Sequence, residues 1–188
     1  MDDDQLAAAL DGARRGEEQA MVVLFRAYQP QLLRYLRARA GAAAEDLAAD
    51  TWLALAKALR TIEGGPDELR AWLFSVARRK VVDHYRAEGR RPKTVVLDAG
   101  VEHASTDDVE GMALSTLGTQ AAVRLLVEGL PPEQAEVVLL RVLGDLSVEQ
   151  VAQIMGKRPG TVRVLQHRAL RRLARTTSRG LTTQRLPG

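Results

Sequence analysis

The apolar positions of the chain recur every three or four residues, which is the period of an α-helix. In the second predicted helix, Val22, Phe25, Leu32 and Leu36 form an apolar stripe that Pro30 is expected to kink or adjust. The same period predicts four helices before residue 90: one at about residues 5–15, one that begins at about residue 17, one at about 44–59 and one at about 67–88. Aromatic residues make up only 4% of the chain, while Ala and Leu are abundant. We therefore predict an all-α fold.

Residues 130–173 show three further short helical segments, the last rich in arginine. Ser147 and Gln150 have the spacing of a capping box, so a helix is predicted over about residues 148–155. Gly156 suits the left-handed backbone of a tight turn, and Pro159 suits the first turn of the next helix. This order predicts a helix-turn-helix that binds DNA.

The distribution of charge supports binding to nucleic acid more than the net charge of +3 does. Residues 157–175 contain many Lys and Arg residues but no Asp or Glu, which indicates contact with a phosphate backbone. Residues 94–119 have the opposite charge pattern, because they contain acidic residues and glycines but no Lys or Arg. That composition favours a flexible linker.

These observations divide the chain into two small helical domains joined by an acidic linker. The predicted parts are an N-terminal domain at 1–92, the linker at 93–119, the helix-turn-helix domain at 120–175 and a disordered tail at 176–188.

Two helices of the N-terminal domain carry candidate binding residues. Asp46 and Asp50 lie four residues apart on one helix face, which is typical of an ordinary solvated stripe and also of a docking surface. The helix at 67–88 interleaves aromatic and basic residues, a composition suited to melted DNA, although Trp72 also fits the core. The candidate contacts to single-stranded DNA are Trp72, Arg78, Arg79, Lys80, Asp83, His84 and Arg86.

Catalysis and metal binding are not expected. The chain has no cysteine, and His84, His103 and His167 lack the spacing of metal ligands. It has neither a glycine-rich phosphate loop nor a nucleophile elbow, so we predict no cofactor. No apolar stretch is long enough to cross a membrane, and the acidic start is unlike a signal peptide, so a cytoplasmic location without membrane insertion is expected.

Taken together, these segments resemble a bacterial RNA polymerase sigma factor of the extracytoplasmic-function (ECF) group. Residues 24–39 resemble the first conserved stretch of the promoter-melting domain, and residues 44–59 resemble the helix that docks on the polymerase clamp. Residues 71–86 resemble the segment that reads the minus-ten promoter element, and residues 130–173 resemble the domain that reads the minus-thirty-five element.

The resemblance implies binding to core RNA polymerase, promoter DNA and an anti-sigma factor. The clamp of the largest polymerase subunit would contact Asp46, Asp50 and Trp52. A base flipped out of the promoter would bind at the loop Ile62, Glu63, Gly64, Gly65, Pro66 and Asp67. The minus-thirty-five element would be contacted by Arg158, Pro159, Gly160, Thr161, Arg163, Val164, His167, Arg168, Arg171 and Arg172. Among these, Arg163 is suited to reading guanine.

The chain departs from the usual family pattern at several positions. Ala49 stands in place of Gln, Arg79 in place of Asn, Arg158 in place of Ser, and Leu165 in place of Arg. Leu165 either contacts a thymine methyl group or joins the core. The alternative function is a free-standing helix-turn-helix regulator, which would bind DNA as a dimer without the polymerase.

Overall fold

All regular structure in the described residues is helical, in agreement with the predicted all-α fold. The computed structural model describes residues 2–89, 127 and 129–182. Its α-helices are α1 (Asp3–Arg14), α2 (Glu18–Ala40), α3 (Ala44–Ala58), α4 (Pro66–Ala87), α5 (Pro132–Val142), α6 (Val148–Met155) and α7 (Pro159–Thr182). Short 3-10 turns at Gly41–Ala43 and Leu59–Thr61 flank α3.

Helix α2 stays helical through Pro30, and only part of its predicted apolar stripe is buried. Leu32 and Leu36 are fully buried, whereas Val22 is 39% exposed and Phe25 is 43% exposed. The α-helical period predicted the helix correctly, but it does not determine how much of the stripe the neighbouring helices cover.

Two apolar clusters hold the helices together. The first joins α1, the start of α2, the end of α3 and the start of α4, with Leu10, Leu24, Leu55 and Leu69 at its centre. The second joins the remainder of α2, α3 and α4 to α5, α6 and α7. Its buried residues include Phe74 of α4, Leu139 of α5, Val151 of α6 and Val162 of α7. The two predicted domains therefore pack against each other through a shared core.

The ends of the predicted domains are described only in part. The predicted linker at 93–119 and residues 183–188 lie outside the described residues. Helix α7 continues to Thr182, past the predicted domain end at residue 175 and into the segment predicted as a tail. Because residues 176–182 contain no proline, each of them has the backbone N–H that is needed to continue a helix. Among the described helices, none combines the length and apolar character needed to cross a bilayer.

Candidate nucleic-acid interface

Helices α6 and α7 form the predicted helix-turn-helix, and the predicted local contacts are present. The Gln150 backbone N–H donates to Ser147 Oγ at 3.1 Å, and the Ser147 backbone N–H donates to Gln150 Oε1 at 2.8 Å. Gly156 ends α6 in the left-handed conformation, with φ of 63°. Val151 of α6 and Val162 of α7 are completely buried and fix the two helices together. This packing leaves the opposite side of α7 in solvent.

Every residue predicted to contact the minus-thirty-five element is exposed. Arg163 Nη2 lies 2.8 Å from Glu149 Oε1, an ion pair that joins α7 to the start of α6. Lys157 Nζ lies 2.6 Å from Glu133 Oε1 on α5. Leu165, in contrast, is half-buried and packs against the shared core. Of the two roles predicted for Leu165, the structure therefore favours the core.

Some residues on the basic face of α4 are exposed to solvent, and others are half-buried beside acidic residues. Arg79, Asp83 and Arg86 are exposed, and their spacing puts them on one side of the helix. Lys80 Nζ lies 3.0 Å from Asp50 Oδ2 of α3. His84 is half-buried, with Nε2 3.5 Å from Glu88 Oε1. The exposed side of the second half of α4 thus carries two arginines and one acid, and Arg86 Nη1 lies 3.5 Å from Asp83 Oδ1.

Two predicted single-strand contacts, Trp72 and Arg78, face α6 in this arrangement. Trp72 is half-buried and lines a cleft of about 570 Å³ between α4 and α6, together with Gln150 and Gln153. Arg78 Nη1 donates to the carbonyl oxygen of Ile154 at 3.1 Å. Neither side chain belongs to the exposed face of α4.

The loop at residues 62–67 is held by a residue that the sequence analysis did not identify. Arg14 Nη2 of α1 donates to the carbonyl oxygens of Ile62 and Gly64, both at 2.7 Å. Gly64 has a φ of 93°, a conformation that favours glycine. The Gly65 backbone N–H donates to Glu68 Oε2 at 2.8 Å. The loop conformation is therefore set by contacts on both of its sides.

The end of the loop is also held by hydrogen bonds to the carbonyl oxygens of Pro66 and Asp67. The Tyr28 hydroxyl donates to the Pro66 carbonyl oxygen at 3.1 Å, and burial raises the pKa of Tyr28, which keeps the hydroxyl protonated. Gln150 Nε2 of α6 donates to the Asp67 carbonyl oxygen at 3.3 Å. Ile62 is buried, whereas Glu63 is exposed.

The predicted polymerase-binding residues do not share one side of α3. Asp46 and Asp50 are exposed, and Leu53, which is 60% exposed, continues their face. Trp52 is half-buried on another side, where its Nε1 donates to Gln29 Oε1 at 2.7 Å and its ring centroid lies 5.0 Å from that of Phe25.

The sequence analysis also missed a buried polar cluster between the two halves of the protein, the N-terminal half with α1 to α4 and the C-terminal half with α5 to α7. Glu136 of α5 accepts a hydrogen bond from the Tyr35 hydroxyl at 2.6 Å and lies 2.9 Å from Arg39 Nη2. Arg78 Nε is 3.6 Å from the same carboxylate. Burial, reinforced by the negative charge of Glu136, raises the pKa of Tyr35 well above its usual range, so its hydroxyl remains a donor. The one available signal was an acidic residue inside the apolar run of α5.

Known families match both halves of the chain. Residues 24–91 match the family Sigma-70 region 2. Residues 120–173 match the family Sigma-70, region 4. The first match contains α3, α4 and the loop before α4, and the second contains the helix-turn-helix.

Individual relatives extend these matches to most of the chain. The ECF RNA polymerase sigma factor BldN of Streptomyces coelicolor is 35% identical over 179 residues, which are 93% of this chain and 66% of that relative. The ECF RNA polymerase sigma factor SigD of Mycobacterium tuberculosis is 33% identical over 187 residues, covering 92% of this chain and 84% of SigD. The solved structure of CnrH in complex with the cytosolic domain of CnrY has a similar fold, with a TM-score of 0.61 at 21% identity. That comparison covers 93% of this chain and 97% of the matched chain in that structure.

Proposed function

The chain belongs to the extracytoplasmic-function group of RNA polymerase sigma factors, and we propose which of its surfaces carry out each part of that role. Sigma factors bind core RNA polymerase and promoter DNA and direct transcription initiation, and they are not enzymes. We propose a cytoplasmic location, because bacterial transcription takes place there.

We propose that α7 reads the minus-thirty-five element by entering the major groove with its N-terminal turns toward the bases. The observation that carries this proposal is the exposure of a helix side with basic residues and no acidic residue from 157 to 175. Arg163 is suited to paired hydrogen bonds with guanine, whereas Arg168, Arg171 and Arg172 are farther along the helix and are suited to phosphates. The ion pair with Glu149 holds the guanidinium group of Arg163 beside the start of α6.

For the minus-ten element, we propose that Arg79, Lys80 and Arg86 bind the backbone of the separated strand while a flipped base binds at the loop 62–67. Flipping a base costs a few kcal/mol, so a site that binds the flipped base favours strand separation. The bonds from Arg14 to Ile62 and Gly64 support this proposal, because they hold the loop in one conformation before DNA arrives. Trp72 and Arg78 become available to DNA when α6 moves away from α4.

We propose that Asp46 and Asp50 dock on the clamp of the largest polymerase subunit. Both carboxylates are exposed, and Leu53 adds an apolar contact on the same face. An anti-sigma factor is a further proposed partner, on the family resemblance alone.

The first experiment is co-elution of the full chain with core RNA polymerase on a sizing column, followed by transcription from DNA selected by the complex. We expect a complex with the wild-type chain and none with the double variant Asp46→Lys/Asp50→Lys. Glu18→Lys is the matched control, because it reverses one exposed acid on a different helix. Normal co-elution of the double variant would exclude this docking face. Absence of any complex, together with tight binding of the free protein to duplex DNA, would instead favour the free-standing regulator.

A further inference from the structure

The buried polar cluster contains more positive than negative charge. The guanidinium groups of Arg39 and Arg78 and the hydroxyl of Tyr35 converge on the single carboxylate of Glu136. Arg39 and Glu136 are each only 4% exposed. Placing one carboxylate against two guanidinium groups leaves an excess positive charge, and it falls on the partly exposed edge of the cluster, where the Arg78 side chain is 31% exposed. A guanidinium that is partly removed from water favours an additional anion beside it.

The positive and negative members of the cluster come from different halves of the chain. Tyr35 and Arg39 lie on α2 and Arg78 lies on α4, all within the region 2 match, whereas Glu136 lies on α5 in the region 4 match. Separation of the two halves would remove the carboxylate, together with the Ile154 carbonyl oxygen that accepts from Arg78, and leave the three donors on the N-terminal half. Tyr85 supports this arrangement, because its hydroxyl donates to the backbone carbonyl oxygen of Arg39 at 2.8 Å.

Several donors of the cluster also lack a hydrogen-bond partner. Arg39 Nε, Arg39 Nη1 and Arg78 Nε are buried and have no hydrogen-bond partner among the described residues. A phosphodiester carries the same single negative charge as Glu136 but offers oxygens in a tetrahedral arrangement. Arginine forms paired hydrogen bonds with phosphate as readily as with carboxylate.

We infer that Tyr35, Arg39 and Arg78 form a binding site for a phosphodiester of the separated promoter strand, and that Glu136 occupies this site while the two halves are packed together. The inference rests on the proposed function. Arg78 is adjacent to Arg79 and Lys80 on α4, so the site extends the proposed strand-binding face toward α2. Glu136 thereby keeps the free protein from binding single-stranded DNA through this site.

Binding of a fluorescent single-stranded oligonucleotide to the free full-length protein tests this inference. Glu136→Gln is expected to raise the affinity roughly tenfold over the wild-type chain, as expected for an additional charge-assisted contact. Glu18→Gln is the matched control, since it makes the same change of charge at an exposed position at the start of α2, outside the cluster and outside the proposed DNA-binding surfaces, and it should leave the affinity unchanged. Equal affinities for wild type and Glu136→Gln would overturn the inference.

Salt dependence distinguishes a phosphate contact from a general change in folding. Adding Arg39→Gln to Glu136→Gln should reduce the magnitude of the negative slope of log affinity against log salt by about 0.7, the value for one phosphate of a single strand. An unchanged slope would exclude Arg39 as a phosphate ligand. Inorganic phosphate at the same ionic strength as chloride should not displace the oligonucleotide, and displacement would reassign the site to free phosphate.

A second measurement uses the complex with core polymerase and a promoter in which single phosphates are replaced by neutral methylphosphonates. At one phosphate position, the methylphosphonate should shorten the open-complex lifetime of the wild-type complex. The same replacement should leave the open-complex lifetime of the Arg39→Gln complex unchanged. Identical profiles would overturn the inference while leaving the proposed function intact. A wild-type complex that starts no transcript at a defined site would instead refute the proposed function.

Discussion

Replacement of Gly64 by Ala tests the loop proposed to hold a flipped base. Gly64 has a φ of 93°, and a Cβ built there would lie 2.6 Å from Glu68 Cγ and 2.9 Å from Glu68 Oε2. Alanine in a left-handed conformation costs roughly 1–2 kcal/mol. Glu68 would also have to move, which breaks its hydrogen bond with the Gly65 backbone N–H and adds about 1 kcal/mol. We expect Gly64→Ala to lower the free energy of unfolding by about 2–3 kcal/mol.

Gly16 provides a matched control for the backbone contribution alone. Its φ is 88°, and a Cβ there would meet nothing within 4 Å. Gly16→Ala should therefore cost only the conformational part, about 1–2 kcal/mol. Urea unfolding of both variants, compared at equal m-values, measures the difference. Equal losses of stability in the two variants would refute the role assigned to Glu68 in holding the loop.

Further outcomes are expected from the helix-turn-helix and from the buried cluster. Ser147→Ala should lower the free energy of unfolding by about 1 kcal/mol in urea, because α6 loses its capping bond; no change would show that the cap is unimportant. Arg163→Ala should cost about 1–3 kcal/mol at one base pair, whereas Arg171→Ala should weaken binding to all sequences alike, as measured by titration of single-base promoter variants. Because the pKa of Tyr35 is raised in the folded state, the stability that its neutral hydroxyl provides is present below the unfolded pKa of about 10 and is lost as pH rises above it. Tyr35→Phe should make unfolding less dependent on pH in that range, and an unchanged dependence would contradict this assignment.

The helix-turn-helix could be predicted because its determinants are close together in sequence. Ser147 and Gln150 form the cap within one helical turn, and Gly156 needs only its own backbone conformation to end α6. Local hydrogen bonding and local sterics therefore set these boundaries, and both can be recognised from the residues alone.

The buried cluster could not be predicted in the same way. Tyr35 and Glu136 are 101 residues apart, so their contact depends on how the two halves pack. The sequence predicted a short helix in this region but not that Glu136 would be satisfied by residues of α2 and α4. Similarly, Arg14 reaches the Ile62 carbonyl oxygen across 48 residues of sequence, and nothing near Arg14 indicates that partner.

Contacts of α1 also affect where the N-terminal half can be cut for biochemical work. The match to Sigma-70 region 2 begins at residue 24, inside α2, and leaves out all of α1. A fragment trimmed to that match would lose Arg14, leaving the Ile62 and Gly64 carbonyl oxygens without their donor. It would also lose Leu10 and so uncover Leu55 and Leu69, which belong to the same apolar cluster and are completely buried in the intact chain. Expression of an isolated N-terminal half should therefore start at Asp2, ahead of the helix that supports the loop.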